Sequence, residues 1–419
     1  MRVTQADSTC PAFTNYKQML ALKNVTVIDG TGKGPLQNAT VLIENGRFRD
    51  VGSNIPIPET ASVIDLNGQY VIPGLIDAHT HANGSSSLDM PGMSHLKQSY
   101  HFVEMREGCL RWGVLTVRTC GQFTDEALAF RDSVKKGEID RSPRILVSGP
   151  MFQAPGGHPC YTVFLSNPEV EKDACAIVKE DTDIEGIIRD SKNKGVDFTK
   201  IFYAHLNKMD YPNTVPRISK ENLKQIIEIS HRYDLSVTVH VDSPAEMLDA
   251  VECGADWIEH MIGAGELDNE ISPELLALTK KSGAIVDPTM ISILRFDPLG
   301  SAPSIWTAVK KAVRQCYEAG IPIAVGCDSG IPFVPFGESL HDEMACLVEA
   351  GIPPLEVISM ASGGNAKLLK LEEEIGTIEA GKAADLIVLA KDPLADIHNT
   401  KTIQLVFQSG RIVTDCRNQ

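Results

Sequence analysis

The chain has 419 residues, of which 43% are hydrophobic and 22% are charged. This is the composition of a globular protein and argues against a disordered or fibrous one. Lysine and arginine number 39 against 55 aspartates and glutamates, so the formal net charge is -16. A chain this acidic repels phosphate backbones and anionic lipids, which disfavours nucleic acid and membrane partners.

The sequence gives no targeting or spanning signal. The first twenty residues lack the apolar stretch of a signal peptide, and no later run is long enough to cross a bilayer. The ten cysteines are scattered without a CxxC pair. Disulfide frameworks belong to small secreted domains, so this pattern indicates free thiols in a reducing compartment. We therefore predict a cytoplasmic protein.

Antiparallel strands are predicted near both termini. Asn45-Gly46 and Asn67-Gly68 each separate two short apolar runs, which is the pattern of a two-residue hairpin, and Ser409-Gly410 does the same near the C-terminus. Neither end has enough strands to bury a sheet face alone. We expect residues 20–73 and 371–419 to pair into one small, discontinuous sheet domain.

In residues 74–370, short strand-like runs alternate with helical segments. Eight short β-branched runs separate helical segments: 75–81, 113–120, 144–149, 196–203, 235–241, 255–260, 283–289 and 321–329. The intervening helices carry start signals, with Ser219 as one cap and Ser243-Pro244 and Ser272-Pro273 as caps followed by proline. Strand and helix alternating eight times predict an α/β fold with a parallel (β/α)₈ TIM barrel.

Polar residues collect at the predicted carboxyl ends of the strands, where such barrels hold their chemistry. A lone histidine at a strand end is more often a packed core residue than a ligand. Here six such side chains fall at five strand ends, and this convergence favours metal ligands over packed core residues. His79 and His81 occupy alternate positions and so point the same way, which lets them share one ion. The candidate set is His79, His81, Lys200, His240, His260 and Asp328.

Imidazoles and a carboxylate suit zinc or a similar metal with an open position for water. Lys200 needs a separate account, because an ammonium cannot bind a cation. Nearby metal charge lowers the pKa of a lysine, and the free amine can take up carbon dioxide to form a carbamate that bridges two metals. The alternative is a salt-bridged lysine, which the apolar residues flanking Lys200 disfavour.

The ordered motifs PGLIDAHTH, GVDFTKIFY, IEH and GCDSG resemble those of the amidohydrolase superfamily. The C-terminal run from LHDEMACLVEAG to AADLIVLAKDPLADI resembles its imidazolonepropionase-like and prolidase-like branch. The resemblance implies a TIM barrel with a β-sandwich domain split between the termini. It also implies two divalent metal ions, most often Zn²⁺: a buried one held by His79, His81 and Asp328, and an exposed one held by His240 and His260. Lys200 would bridge them as N6-carboxylysine.

The same resemblance implies hydrolysis by a metal-activated hydroxide, with Asp328 as general base and then general acid. Deaminase-like relatives carry a glutamate three residues after the fifth-strand histidine, whereas Ser243 stands at that position here. Hydrolysis of an amide bond is therefore favoured over deamination. We expect a small-molecule substrate with a carboxylate, such as a dipeptide or an N-acyl amino acid, and a homo-oligomeric enzyme.

Substrate-binding residues are less clearly marked. His158 lies in a GGH loop like that of prolidase-like relatives and is a catalytic and substrate-binding candidate, with a solvated loop histidine as the equal alternative. Arg217 stands near where those relatives have a carboxylate-binding tyrosine, and it either clamps a carboxylate or covers a helix start. Tyr203 either lines the pocket or packs in the core.

Two other functions stay open. One is hydrolysis of a cyclic amide of the imidazolone type, or of a lactone. The other is a non-catalytic assembly protein on the same fold, as some relatives are. Such proteins lack metal ligands, whereas this chain keeps all six positions.

Overall fold

The computed structural model describes residues 19–82, 100–164, 166–205, 214–261, 271–295 and 302–417. The strands are β1 Leu20–Val27, β2 Leu36–Glu44, β3 Arg47–Gly52, β4 Ser62–Asp65, β5 Tyr70–Pro73, β6 Leu75–Thr80, β7 Val114–Thr119, β8 Arg144–Val147, β9 Met151–Gln153, β10 Cys175–Ile177, β11 Phe198–Phe202, β12 Ser236–His240, β13 Trp257–Glu259, β14 Ile285–Asp287, β15 Leu386–Leu389, β16 Ile403–Gln408 and β17 Arg411–Asp415. The helices are α1 Tyr100–Arg111, α2 Thr124–Lys135, α3 Pro168–Ala174, α4 Ile184–Lys194, α5 Lys220–Arg232, α6 Pro244–Cys253, α7 Pro273–Ser282, α8 Met290–Arg295, α9 Ala302–Ala319, α10 Glu338–Glu349, α11 Pro354–Ser359 and α12 Asn365–Leu368.

The strands of both termini form one mixed sheet in the order β17-β16-β15-β5-β1-β2-β3, with β4 also paired to β1. The antiparallel pairing of β15 with β5 joins the two ends of the chain, because it sets Leu386 opposite Pro73. Apolar side chains from both ends, such as Leu22 and Phe407, share one buried cluster. The prediction that the termini build one sheet is confirmed.

Two of the three predicted hairpins are present. Asn45-Gly46 joins β2 to β3 with positive φ at both residues, and Ser409-Gly410 joins β16 to β17 in the same way. The hairpin predicted at Asn67-Gly68 is wrong. That turn has the expected positive φ angles, but β4 and β5 each pair with β1 in parallel and not with one another.

The middle of the chain has the predicted α/β architecture. Two parallel sheets run in the orders β6-β7-β8 and β10-β9-β11-β12-β13-β14. Isolated parallel bridges connect them: Ser148, which follows β8, pairs with Phe198 of β11, while the segment 321–329 pairs with Val286 of β14 through Ile323 and with Thr80 of β6 through Ser329. The strand ladder is therefore not continuous around the ring. Seven of the eight predicted barrel strands contain a regular strand, and the short β9 and β10 were not predicted.

The eighth predicted strand, residues 321–329, makes only isolated bridges. Side chains take some of the backbone groups that a continuous ladder would use. Asn365 accepts a hydrogen bond from Val325 N and donates one to Val325 O, and Asp77 accepts one from Cys327 N. The segment still lies beside β6, because Ala78 N donates to Val325 O.

The predicted helix starts are confirmed. Ser219, Ser243 and Ser272 cap α5, α6 and α7, and each hydroxyl accepts a hydrogen bond from a backbone N–H of the first turn. Among the residues that the structure describes, no helix is both long and apolar enough to cross a membrane. The nine cysteines of those residues are all free.

Candidate metal centre

The first three predicted metal ligands converge at the carboxyl end of β6. His81 Nε2 lies 2.9 Å from Asp328 Oδ1, and His79 Nε2 lies 3.4 Å from the same oxygen. The three ligand atoms all lie within 4.8 Å of one another. His81 Nδ1 is 2.8 Å from the carbonyl oxygen of Gly121, which can only accept. That bond puts the proton on Nδ1 and leaves Nε2 as the ligand atom.

The ligand atoms of His79, His81 and Asp328 are arranged to bind one common ion rather than one another. His79 is fully buried, and neither of its ring nitrogens has a hydrogen-bond partner among the described residues. Asp328 Oδ1 likewise has no hydrogen-bond partner among the described residues, although it lies close to His81 Nε2. Buried polar atoms without partners are costly, and a divalent cation would satisfy all three of these residues at once. The residues present therefore fit a metal ion.

The two other predicted histidine ligands lie next to this group. The ring centre of His260 is 5.1 Å from that of His79 and 4.2 Å from that of His240. His260 follows β13 with a positive φ of 72°, and its backbone N–H donates to Asp287 O. Its Nδ1 is 2.6 Å from Thr289 Oγ1. The structure thus brings four predicted histidines and Asp328 to one end of the barrel.

Lys200 is fully buried on β11, and its ammonium contacts the carboxylate of Glu259. Burial lowers the pKa of Lys200 to about 8. Burial, and then the charge of Lys200, lowers the pKa of His79 well below its usual range. Glu259 also accepts hydrogen bonds from Thr238 at 2.5 Å and from Arg118 at 3.2 Å. The structure thus pairs Lys200 with a carboxylate, and its role as a bridging carbamate remains a proposal.

Asp77, which the sequence analysis did not single out, lies under the site. Its carboxylate accepts hydrogen bonds from the backbone N–H groups of His79 and Cys327 and from the Ser329 hydroxyl. Burial raises the pKa of Asp77 to about 6. Gly326 permits this close packing, because a Cβ there would lie 2.6 Å from His79 N. Asp77 therefore fixes the backbone on both sides of the metal-ligand group.

His158 lies beside the candidate ligand His240. Its ring centre is 5.3 Å from that of His240 and 5.2 Å from that of Phe202. Its Nδ1 is 2.6 Å from Thr162 Oγ1. Gly157 lets the loop that carries His158 lie close to the segment before Arg217, since a Cβ at Gly157 would lie 2.8 Å from the carbonyl oxygen of Pro216.

Arg217 is thereby placed beside the His158 loop. One of its Nη atoms lies 3.3 Å from the buried carboxylate of Glu246, and its guanidinium stacks on Tyr203 at 4.7 Å from the ring centre. Tyr203 itself is buried, and its hydroxyl donates to Asp249 at 3.0 Å. Tyr203 hence supports Arg217 through its ring, and the structure gives its hydroxyl a partner other than substrate.

Comparison with known proteins identifies the family to which a chain with this site belongs. Residues 70–413 match the sequence model of the amidohydrolase family. The chain belongs to the amidohydrolase family. The chain is 24% identical to an ochratoxinase from Aspergillus niger, over 92% of this chain and 85% of that protein.

Solved structures show the same fold. A Xaa-Pro dipeptidase with bound methionine superposes with a TM-score of 0.78 at 24% identity, over 94% of this chain and 99% of that one. A putative prolidase from Bifidobacterium longum gives a TM-score of 0.76 at 27% identity, over 95% of each chain. Membership of this family supports a hydrolytic enzyme acting on carbon–nitrogen bonds of small molecules, and amidohydrolases usually bind divalent metals.

Sequence reasoning missed several buried carboxylates of this amidohydrolase, among them the four that lie beside predicted site residues: Asp77, Asp242, Glu246 and Glu259. Two of them had a detectable signal, because Asp77 and Glu259 are acidic residues inside apolar strand segments, one or two positions before a predicted ligand. Asp242 and Glu246 follow β12 in a helix-start pattern, and acidic residues there are ordinary. Only the packed structure shows where their side chains lie.

Proposed function

We propose that this protein is a metal-dependent hydrolase that cleaves an amide bond in a substrate bearing a carboxylate, such as a dipeptide or an N-acyl amino acid. The observation that carries the proposal is the meeting of His79, His81 and Asp328 around a common point, with buried donor atoms left without partners. His240 and His260 extend the donor set to a second ion. Lys200, as N6-carboxylysine, would connect the two.

Two divalent ions held there, with Zn²⁺ the best match to the donors, would polarise the scissile carbonyl and lower the pKa of an attacking water. The residues supply the rest. Asp328 would accept the proton of that water and pass it to the leaving amine, since its carboxylate lies beside both His79 and His81. His158, whose ring lies next to that of His240, would donate a hydrogen bond to the substrate.

Arg217 would bind the substrate carboxylate. Glu246 and Tyr203 hold its guanidinium from two sides, which leaves further N–H donors for a bidentate contact. Tyr203 contributes to substrate binding through this stacking. The structural neighbours named as a dipeptidase and a prolidase support a linear amide over a cyclic one.

Three further proposals concern the whole protein. Its free thiols support a cytoplasmic location. A homo-oligomer is proposed on the family resemblance. Residues 20–73 and 371–419 are proposed as the two parts of the small β-sandwich domain, and residues 74–370 as the barrel domain; the pairing of β15 with β5 supports this division.

The test is a substrate screen with metal-loaded protein and with the same protein after chelation. We expect dipeptides and N-acyl amino acids to be hydrolysed only by the loaded form. Asp328→Asn should lower kcat by about 100-fold or more, as expected for loss of a general base. Asp50→Asn, at an exposed position of β3, is the matched control and should keep full activity. Turnover of cyclic amides or lactones alone would contradict the proposed substrate class.

A further inference from the structure

Phe333 lies in a tight turn just after the eighth barrel segment, in a backbone conformation that favours glycine. Val334 N donates to Ile331 O at 3.1 Å, which closes a four-residue turn with Pro332 in its second place and Phe333 in its third. Phe333 has a φ of 68°. Proline in the second place and a positive φ in the third are typical of a type II turn, where the third residue is usually glycine. A bulky side chain at that place strains the backbone.

The ring of Phe333 does not offset this strain by packing in the core, because 49% of the residue is exposed. The next residue, Val334, is fully buried, so the turn itself is well anchored. A strained residue whose side chain is half-exposed contributes little to the stability of the protein alone. Strain of this kind is concentrated at active sites and ligand clamps, which makes the exposed ring a candidate for contact with a ligand.

The turn is fixed beside the candidate metal ligands. Gly330 N donates to Val334 O at 3.0 Å, so the turn closes on Gly330. Gly330 packs directly on His81, since a Cβ there would lie 2.3 Å from His81 O, and His81 N donates to Ser329 O at 2.7 Å. Phe333 is three residues from Gly330, so their Cα atoms are separated by at most about 11 Å. A substrate held at the metal ligands therefore lies near this ring.

The position of Phe333 around the barrel indicates which part of the substrate it faces. The ring order is β6, β7, β8, β11, β12, β13, β14 and then the segment 321–329. The fourth and eighth members, β11 and the segment 321–329, lie on opposite sides of a ring of eight. Arg217, the proposed carboxylate-binding residue, lies between β11 and α5, whereas Phe333 follows the eighth member. A substrate bound through its carboxylate at Arg217, with its amide bond at the metal ligands, therefore extends its acyl part toward Phe333.

We infer that Phe333 is a specificity-determining residue: its ring contacts the acyl part of the substrate and selects a large apolar group there. The substrates would be dipeptides with a large apolar first residue, or amino acids that carry an apolar N-acyl group. This inference rests on the proposed function and narrows its substrate class. The ring of a phenylalanine offers apolar surface without a hydrogen-bonding group, so burying it against apolar substrate atoms is favourable.

The test compares metal-loaded proteins on two pairs of substrates that differ only in the acyl part: leucyl-alanine against glycyl-alanine, and N-pentanoyl-alanine against N-acetyl-alanine. Phe333→Gly should lower kcat/KM for the large-acyl substrates by about tenfold, as expected for loss of roughly 55 Å² of apolar contact, and leave the small-acyl substrates unchanged. Phe333→Leu keeps an apolar side chain and should keep most of the preference. Val63→Ala, at a similarly exposed apolar position of β4, is the matched control and should change neither value.

Thermal unfolding and size-exclusion chromatography of the same proteins separate this role from a structural one. Glycine adopts a positive φ without steric cost, so Phe333→Gly should keep or raise the Tm and keep the oligomeric state. A lower Tm, an equal loss of kcat/KM for large and small acyl groups, or unaltered selectivity would overturn the inference. A changed oligomeric state with unaltered selectivity would assign the ring to a subunit interface instead. A wild-type protein that hydrolyses none of the four substrates would overturn the proposed function, and the inference with it.

Discussion

Acid should destabilise this protein through His341, a buried histidine outside the candidate set of metal ligands. His341 lies on α10 with no exposed surface; its Nε2 donates to the carbonyl oxygen of Trp112 at 2.8 Å, and its Nδ1 is 3.0 Å from Thr400 Oγ1. Burial lowers the pKa of His341 from 6.5 to about 4, and the charge of Lys401 acts in the same direction. The folded protein therefore keeps the ring neutral where the unfolded chain protonates it.

The magnitude follows from the shift. Because the folded pKa is depressed, the stability that His341 contributes is fully present above the unfolded pKa of 6.5 and is lost as pH falls through about 4. Each pKa unit corresponds to about 1.4 kcal/mol. Lowering the pKa of His341 from 6.5 to about 4 is thus worth about 3 kcal/mol of unfolding free energy between pH 7 and pH 4.

The assay compares the wild type with His341→Gln, which keeps an N–H donor for Trp112 and does not titrate. Urea unfolding is followed by tryptophan fluorescence at pH 4, 5, 6 and 7 in the presence of chelator, so that metal ligands titrate equally in both proteins. The wild type should be more stable at pH 7, and its advantage should shrink by about 3 kcal/mol by pH 4. Parallel loss of stability in the two proteins would refute the reasoning.

Three further predictions concern single side chains. Arg217→Met should raise KM for a carboxylate substrate by about tenfold or more, through loss of the bidentate charge-assisted contact, and leave KM for the corresponding amide unchanged; equal effects on both would contradict it. Burial raises the pKa of Glu343 to about 8, although its two oxygens accept backbone N–H bonds from Met290 and Ile291. In chemical denaturation at pH 7, Glu343→Gln should cost about 1–3 kcal/mol because the amide keeps only one of the two accepting oxygens, and Glu343→Ala, which removes both, should cost about twice as much; equal costs would contradict this reasoning. Lys200→Ala should reduce the metal content measured by elemental analysis from two ions per chain to one or fewer, and full retention of both ions would exclude the bridging role.

The sequence was sufficient to predict the α/β class, the paired termini and seven of the barrel strands, because alternating apolar runs and serine caps are local signals. The eighth barrel segment was mispredicted as a strand because its backbone bonds to the side chains of Asp77 and Asn365, which are distant in sequence. The hairpin at Asn67-Gly68 failed for a related reason. Its turn is local, but the partner of both flanking strands is β1.

Much of the candidate site followed from the fold. Parallel strands bring their carboxyl ends together, so His79, His240 and His260 were expected to meet, and their rings do lie within about 5 Å of a neighbour. The buried carboxylates beside them could not be placed in the same way. Where the carboxylate of Asp242 lies relative to His240 depends on side-chain packing, which no spacing in the sequence encodes.

The central claim is that this end of the barrel holds catalytic metal, and elemental analysis tests it most directly. Protein purified without chelator and then dialysed with zinc should contain two ions per chain, and chelation should remove them together with all hydrolysis of dipeptides and N-acyl amino acids. A folded protein that stays free of metal after incubation with zinc would contradict the account.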